Sequence, residues 1–232
     1  MAQSKPVFTP QVILMLLLFV VGIPMLPLIV SGEWRWTEAW WYAILSVLAF
    51  AVSRLLVARR FPDLIAERAR FASHEDAKPW DKRLAPLLTL TTALTLAAIG
   101  LDARLNGITP YAGSVVGLAL AIILAGWALG TWALLENRFF SGVVRIQTDR
   151  GQKVVRSGPY HWLRHPGYAG ALLTTLATPF FLSSLWGLPF ALAFAAVLIA
   201  RTRLEDSTLQ AELDGYAAYA GAVRFRLVPG VW

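Results

Sequence analysis

The sequence predicts an all-α integral membrane protein, a helical bundle of about six spans. Three observations carry this expectation. Hydrophobic residues make up 57% of the 232-residue chain and charged residues only 15%, well below the roughly 25% charge usual in soluble domains. The apolar residues fall into runs long enough to cross a hydrocarbon core of about 30 Å. The basic residues, in turn, gather in two polar loops and the tail.

In chain order, residues 1–10 form a short polar tail carrying Lys5. Gln11 to Val30 is the first span, with Pro24 and Pro27 inside it; membrane helices tolerate such prolines. No small-residue cleavage site follows, so the run reads as a retained span. Glu38 to Ala58 is the second span, preceded and opened by Trp34, Trp36, Trp40 and Trp41, an aromatic cluster of interfacial type. Residues 59–83 form a polar loop in which Asp63 to Ala72 reads as a short interfacial helix. His74 is an isolated, solvated histidine of this loop. Leu84 to Gly100 is the third span. Tyr111 to Leu135 is the fourth, with Gly113, Gly117, Gly126 and Gly130 offering close helix packing. A second polar loop runs over residues 136–165. Pro166 to Ala200 is then apolar for 35 residues, which as one helix would span about 50 Å. Pro179, Ser183, Ser184, Gly187 and Pro189 interrupt it, so it reads as a hairpin of two short spans, or as one span and a re-entrant half. The tail from Arg201 is polar and partly helical.

Charge sets the orientation. Of 21 Lys and Arg, 13 lie in the two long loops and four more are Arg201, Arg203, Arg224 and Arg226. The positive-inside rule puts both loops and both termini in the cytoplasm. The formal charge of +7 then fits loops beside an anionic leaflet rather than nucleic-acid binding. With no cysteine and three histidines, neither a disulfide framework nor a metal site is expected.

The densest chemistry lies in Ser157–Gly170, SGPYHWLRHPGYAG, which packs two prolines, three glycines, two histidines, an arginine and two tyrosines into one connector. Gly158–Pro159 reads as a turn. His165, preceding a proline, belongs just outside a helix, and Pro166 suits its first position. A helix starting there presents N–H groups and a positive dipole end to an anion. Further on, Arg201 and Glu205 stand one helical turn apart, with Glu205, Leu209, Leu213 and Tyr216 near one face. Such a pair is either an ordinary exposed ion pair of little consequence or a functional one at the membrane boundary. No GxGxxG after a strand, no GxSxG and no HExxH occurs.

The string SGPYxxxRHPxYxG, the hydrophobic hairpin after it, RxxxED, the Gly215-Tyr-x-x-Tyr run and the closing RFRLVPGVW resemble the isoprenylcysteine carboxyl methyltransferases and their bacterial relatives. Phospholipid N-methyltransferases look similar over the same half. PDLIAERARF and KPWDKRLAPL look like the bacterial branch. The resemblance implies an integral membrane methyltransferase using S-adenosylmethionine and releasing S-adenosylhomocysteine. It implies a cytoplasmic cofactor loop and C-terminal helix, in a bacterial inner membrane with the active site facing the cytoplasm. Carried over by position, the cofactor site comprises Gln152, Lys153, Val154, Val155, Tyr160, His165, Pro166, Gly167, Tyr168 and Glu205. Arg201 is assigned to the acceptor, and Arg201 and Glu205 are the catalytic pair. Gln147 matches an upstream glutamine only loosely. Asp206 stands where the family often has a second Glu, and Asp214-Gly215 where eukaryotic members have Phe-Gly.

The residues suit such a cofactor. The helix start at Pro166 fits a carboxylate, Glu205 fits an ammonium or ribose hydroxyl, and Tyr160 or Tyr168 offers an aromatic face to a sulfonium. A carboxylate acceptor needs a cation but no base, and Arg201 offers a planar fork. The expected partners are therefore membrane lipids and a hydrophobic small-molecule or prenylated acceptor, with neither nucleic acid nor metal. An amine or thiol acceptor on the same scaffold, and a non-enzymatic membrane protein with a degenerate pocket, are the alternatives. The chain reads as one membrane domain, with residues 1–135 a four-span scaffold and 136–232 the catalytic half.

Overall fold

The structure is a computed structural model that describes residues 10–69 and 76–232. Lys5, His74 and the last three residues of the expected 63–72 helix lie outside the described residues. Among the described residues every regular element is helical: α1 Pro10–Leu17, α2 Ile23–Ser31, α3 Thr37–Arg60, α4 Pro62–Ala69, α5 Asp81–Asn106, α6 Gly113–Glu136, α7 Pro166–Phe181, α8 Leu188–Glu212 and α9 Tyr216–Ala222. Five stretches are long and apolar enough to cross a membrane: Ile13–Ser31, α3, α5, α6 and Leu185–Glu212. Their outward faces carry large apolar side chains such as Leu48, Leu55, Leu90, Leu118 and Leu192, each more than half exposed. So much continuous apolar surface belongs against lipid. The chain is a helical membrane bundle.

The sixth apolar segment, α7, has 16 residues, about 24 Å of helix and short of a hydrocarbon core. It forms a hairpin with α8 through Leu182–Gly187, the five-plus-a-short-half form of the expectation. Ser183 turns the chain at a φ of 54°; its hydroxyl accepts from Tyr111 N–H at 3.0 Å, and Ser184 donates to Asp102 at 2.6 Å. Gly187 lets the turn lie on α5, because a Cβ there would come within 2.6 Å of Ile99.

Helix pairing follows the small residues. A Cβ on Gly126 would stand 2.6 Å from the Gly170 carbonyl, and one on Gly170 would stand 2.4 Å from that of Gly126. The α6 and α7 backbones therefore touch. Gly113 and Gly117, also expected to pack, face open space. Gly100 of α5 meets the Pro27 backbone of α2. Between α1 and α2 the chain widens into a π turn, Leu18–Gly22, just before Pro24, whose missing N–H removes a rung from that turn.

The core joins Leu28, Trp36, Tyr42, Leu96, Ile99, Ile123, Phe181 and Leu182 from α2, α3, α5, α6 and the hairpin. Trp36 is thus a core residue at 3% exposure, whereas Trp34 and Trp41 stay exposed as interfacial anchors should. A smaller cluster, Val57, Leu64 and Leu134 with Phe61 and Phe140, seats α4 beneath α3 and α6.

Candidate active site

At the end of the bundle where α3, α6 and α8 finish, residues 137–165 and the tail enclose a cleft. It holds about 770 Å³ of empty space, part of it open to solvent. Gln152, Lys153, Val154, Val155, Tyr160, His165, Gly167, Tyr168 and Glu205 all line it. The loop, the turn, the α7 start and α8 are thus brought to one place. Pro166 does not line the cleft; it is buried at the first position of α7, with His165 just outside at φ −128°, ψ 61°. Arg201 does not line it either.

Each wall has a local cause. Gln147 fixes the loop: its amide donates to Phe139 O at 2.7 Å, its N–H to Gln152 Oε1 at 2.7 Å, and its side-chain oxygen accepts from Arg150. Tyr160 is placed by Asn137, which donates to its hydroxyl at 3.3 Å; burial pushes that phenol above its usual pKa, so it stays a neutral aromatic face. Gly167 has no side chain because Phe140 lies over it, 2.4 Å from where a Cβ would be. Residues 164 and 165 run beside the tail, their N–H groups donating to Phe225 O and Arg226 O at 3.0 Å each.

Glu205 and Tyr168 meet across the cleft, the phenol donating to the carboxylate at 2.5 Å. Tyr168 also stacks on His165, with centroids 5.6 Å apart and planes 5° apart. The expected Arg201–Glu205 pair is replaced by another. Arg201 donates to Asp81, Nε to Oδ1 at 2.7 Å and Nη2 to Oδ2 at 3.2 Å, and to Gly142 O at 3.3 Å. Its guanidinium lies 5.2 Å from the Tyr168 ring centre. Asp81 is fully buried and also accepts from Val144 N–H at 2.7 Å. A buried carboxylate so placed outcompetes an i+4 neighbour for a planar fork.

Asp206, one residue beyond Glu205, points into protein and is fully buried. It accepts from Arg226 Nε and Gln210 at 2.9 Å each and from Tyr216 at 3.1 Å, with Arg164 Nε at 3.3 Å and His165 Nε2 at 3.4 Å. One carboxylate thereby clamps the 164–165 segment, α8, α9 and the tail. Tyr216 and Tyr219 add aromatic surface to the cleft, and Tyr219 donates to Tyr160 O at 2.6 Å.

Sequence reasoning missed Asn137, Arg145 and Asp81. Arg145 lines the cleft while buried among Glu67, Asp76 and Asp149, with contacts of 2.9, 3.0 and 2.8 Å. Nothing in its local sequence signals this, because two of those carboxylates lie 78 and 69 residues upstream. Arg54, also passed over, had a signal: a cation inside the apolar run of α3.

Comparison with known proteins bears on the same region. Residues 118–211 match the family model for the isoprenylcysteine carboxyl methyltransferase (ICMT) family. The chain is also 33% identical over 96 residues to the uncharacterized protein YpbQ of Bacillus subtilis (strain 168), an alignment covering 41% of this chain and 56% of that protein. The chain thus spans little more than half the length of that relative. The family match runs from within α6 to the last turn of α8 and contains the 152–155 loop, Tyr160, His165, Tyr168, Arg201 and Glu205, so the likeness to the isoprenylcysteine carboxyl methyltransferase family falls on the part of the chain that builds the cleft.

Proposed function

We propose that this protein is a membrane-embedded methyltransferase that uses S-adenosylmethionine to methylate a lipidic acceptor, with a carboxylate as the accepting group. The observation that carries the reading is the convergence of nine residues from four separate segments on one cleft, within a segment of ICMT family sequence. The donor set suits the cofactor group by group. Glu205 offers a carboxylate for the ammonium or a ribose hydroxyl. Lys153 and the first turn of α7 at Gly167 suit the carboxylate. Tyr160, Tyr168 and Tyr216 surround the space with rings suited to a sulfonium, and Val154, Val155 and Leu209 offer apolar surface to a purine. When bound, S-adenosylmethionine supplies an electrophilic methyl group and leaves as S-adenosylhomocysteine.

The chain's own part is alignment. Tyr168 is fixed by Glu205, by His165 and by the Arg201 guanidinium over its ring. Arg201 is oriented by Asp81 and places positive charge beside that ring. Such a field suits a carboxylate nucleophile, which needs no general base, and opposes a protonated amine. In this reading residues 1–135 are the scaffold, residues 136–232 carry the cofactor site, and the cleft faces the cytoplasm of a bacterial inner membrane.

The test is calorimetric titration of S-adenosylhomocysteine into purified, folded protein. Binding is expected, and Glu205→Gln should weaken it tenfold to a hundredfold, the effect of losing a charge-assisted hydrogen bond of about 1.5–3 kcal/mol. No heat with the wild-type protein at high ligand concentration overturns the reading.

A further inference from the structure

The corner between α8 and α9 forms part of the cleft wall, and its outer edge is held less firmly than the rest. Leu213 ends α8 in extended backbone at φ −108°, ψ 115°, and Gly215 turns the chain into α9 at φ 78°, a conformation glycine adopts without strain. Leu213 and Tyr216 line the cleft, while Glu212, Asp214 and Gly215 are exposed. The corner thus turns apolar surface inward and a polar edge to water. Two cations grip that edge from different parts of the cleft wall. Lys78 Nζ donates to both carboxylate oxygens of Glu212, at 2.7 and 2.8 Å, and the Lys78 N–H donates to Val144 O at 2.9 Å. Arg156, which follows Val155, donates to Gly215 O at 3.4 Å. Val144 and Val155 both line the cleft.

The anchoring is uneven. Three residues beyond Lys78, Asp81 holds Arg201 of α8 and accepts from Val144 N–H, and Asp81 and Arg201 are both buried. The side chains of Lys78 and Glu212 are 26% and 45% exposed. A buried pair is costly to break, whereas an exposed one is weak and screened by salt. Residues 78–81 therefore hold α8 firmly at Arg201 and loosely at Glu212, about three turns further on. Tyr216 donates to Asp206, so the last turn of α8 and the start of α9 are tied into one unit behind the loose edge.

We propose that residues 209–216 form a lid over the cleft, latched by the Lys78–Glu212 pair, and that this lid opens to admit and release the ligand of the cleft. With the pair broken, the outer edge keeps the 3.4 Å contact of Arg156, and Leu209, Leu213 and Tyr216 can move away from the Val144 wall together. Such a movement sets the rate of ligand exchange rather than the chemistry. The lid is a property of the cleft itself; S-adenosylhomocysteine is its probe, and that choice rests on the methyltransferase reading.

The test uses the full chain in phosphatidylcholine nanodiscs, loaded with radiolabelled S-adenosylhomocysteine and chased with unlabelled ligand. Lys78→Met and Glu212→Gln should each speed release by about fivefold, and the double variant should release no faster than either alone. Added salt should speed release from the wild-type protein and leave Lys78→Met unchanged. The chain has no cysteine, so Lys78→Cys combined with Glu212→Cys accepts a short bismaleimide bridge, and the bridged protein should bind and release about tenfold more slowly than the unbridged one. Hydrogen exchange reads the same motion without ligand. The amides of Leu213 and Tyr216, which donate to Leu209 O and Leu213 O, should exchange about fivefold faster in Lys78→Met. The Val144 amide, held by Asp81, should not change, which reports that the variant is folded. Unchanged release in both single variants, effects that multiply in the double variant, unchanged rates in the bridged protein, or unchanged exchange at Leu213 and Tyr216 each overturn the proposal. A wild-type protein that binds no S-adenosylhomocysteine removes the methyltransferase reading, and hydrogen exchange then decides the lid by itself.

Discussion

Asp81 and Arg201 form a buried pair in which each completes the other, so removing one strands a charge. Replacing Asp81 by Asn should lower stability by about 3–5 kcal/mol, the usual consequence of an uncompensated buried ion. Chemical unfolding in detergent measures it; a loss below about 1 kcal/mol would mean the pair is loosely held. The same substitution frees the guanidinium over Tyr168, so turnover should fall further than cofactor binding does. Tyr160, His165, Gly167, Tyr168 and Glu205 of the cleft were legible because the Ser157–Gly170 and Arg201–Asp206 motifs carry them. Asp81 was not, because it is 120 residues from Arg201 and reads locally as one more charge of the 59–83 polar loop. Asp206 was noted as a departure from the family pattern, yet its burial depends on α9 and the tail, whose placement no motif announces.

Among the elements, α6 and α7 test how far small residues set the architecture. Their backbones meet at Gly126 and Gly170, where even one methyl group has no room. Gly126→Ala or Gly170→Ala should force the helices apart at about 1–3 kcal/mol and loosen Gly167, which lies one turn from Gly170 in the cleft wall. Gly117→Ala, in open space, should be neutral or slightly stabilising by helix propensity. Thermal unfolding of the three variants separates the cases. Glycine spacing marked α6 as a packing helix, but which glycines touch depends on the crossing point, and that is a property of two helices. Span boundaries were readable from apolar runs; the true helices α5 and α8 extend beyond them into polar sequence because tertiary partners such as Asp81 and Asp206 give those turns something to hold.

Across the whole molecule, polar ties cross from the N-terminal spans to the cleft. Asp63 of α4 accepts from Arg150 at 2.5 Å and from Arg138 at 2.9 Å. Its partial burial raises the carboxyl pKa, but those two arginines outweigh it and hold the group below the ordinary value. The folded state therefore binds a proton less readily than the unfolded chain. The tie is complete above the ordinary carboxylate range near pH 4 and is lost as pH falls through the lower folded value. Acid titration should thus loosen α4 from the 138–150 loop, and Asp63→Asn should flatten that response; hydrogen exchange of the loop amides reads both. These ties escaped the sequence reading because charged loops look solvated when their partners are on another loop.

The Asp206 clamp implies non-additive behaviour. With Arg226, Gln210 and Tyr216 donating to one carboxylate and Arg164 and His165 beside it, the first substitution leaves the others to hold it, whereas later ones meet a weakened group. Arg226→Ala and Tyr216→Phe should each weaken S-adenosylhomocysteine binding modestly, while their combination should differ from the product of the two effects by about threefold or more, a coupling of roughly 0.7 kcal/mol or above. Independent effects would mean the donors act separately. Coupling would mean that the far end of the chain reports on cofactor binding, so a label on the tail near Trp232 should sense cleft occupancy without touching the cleft.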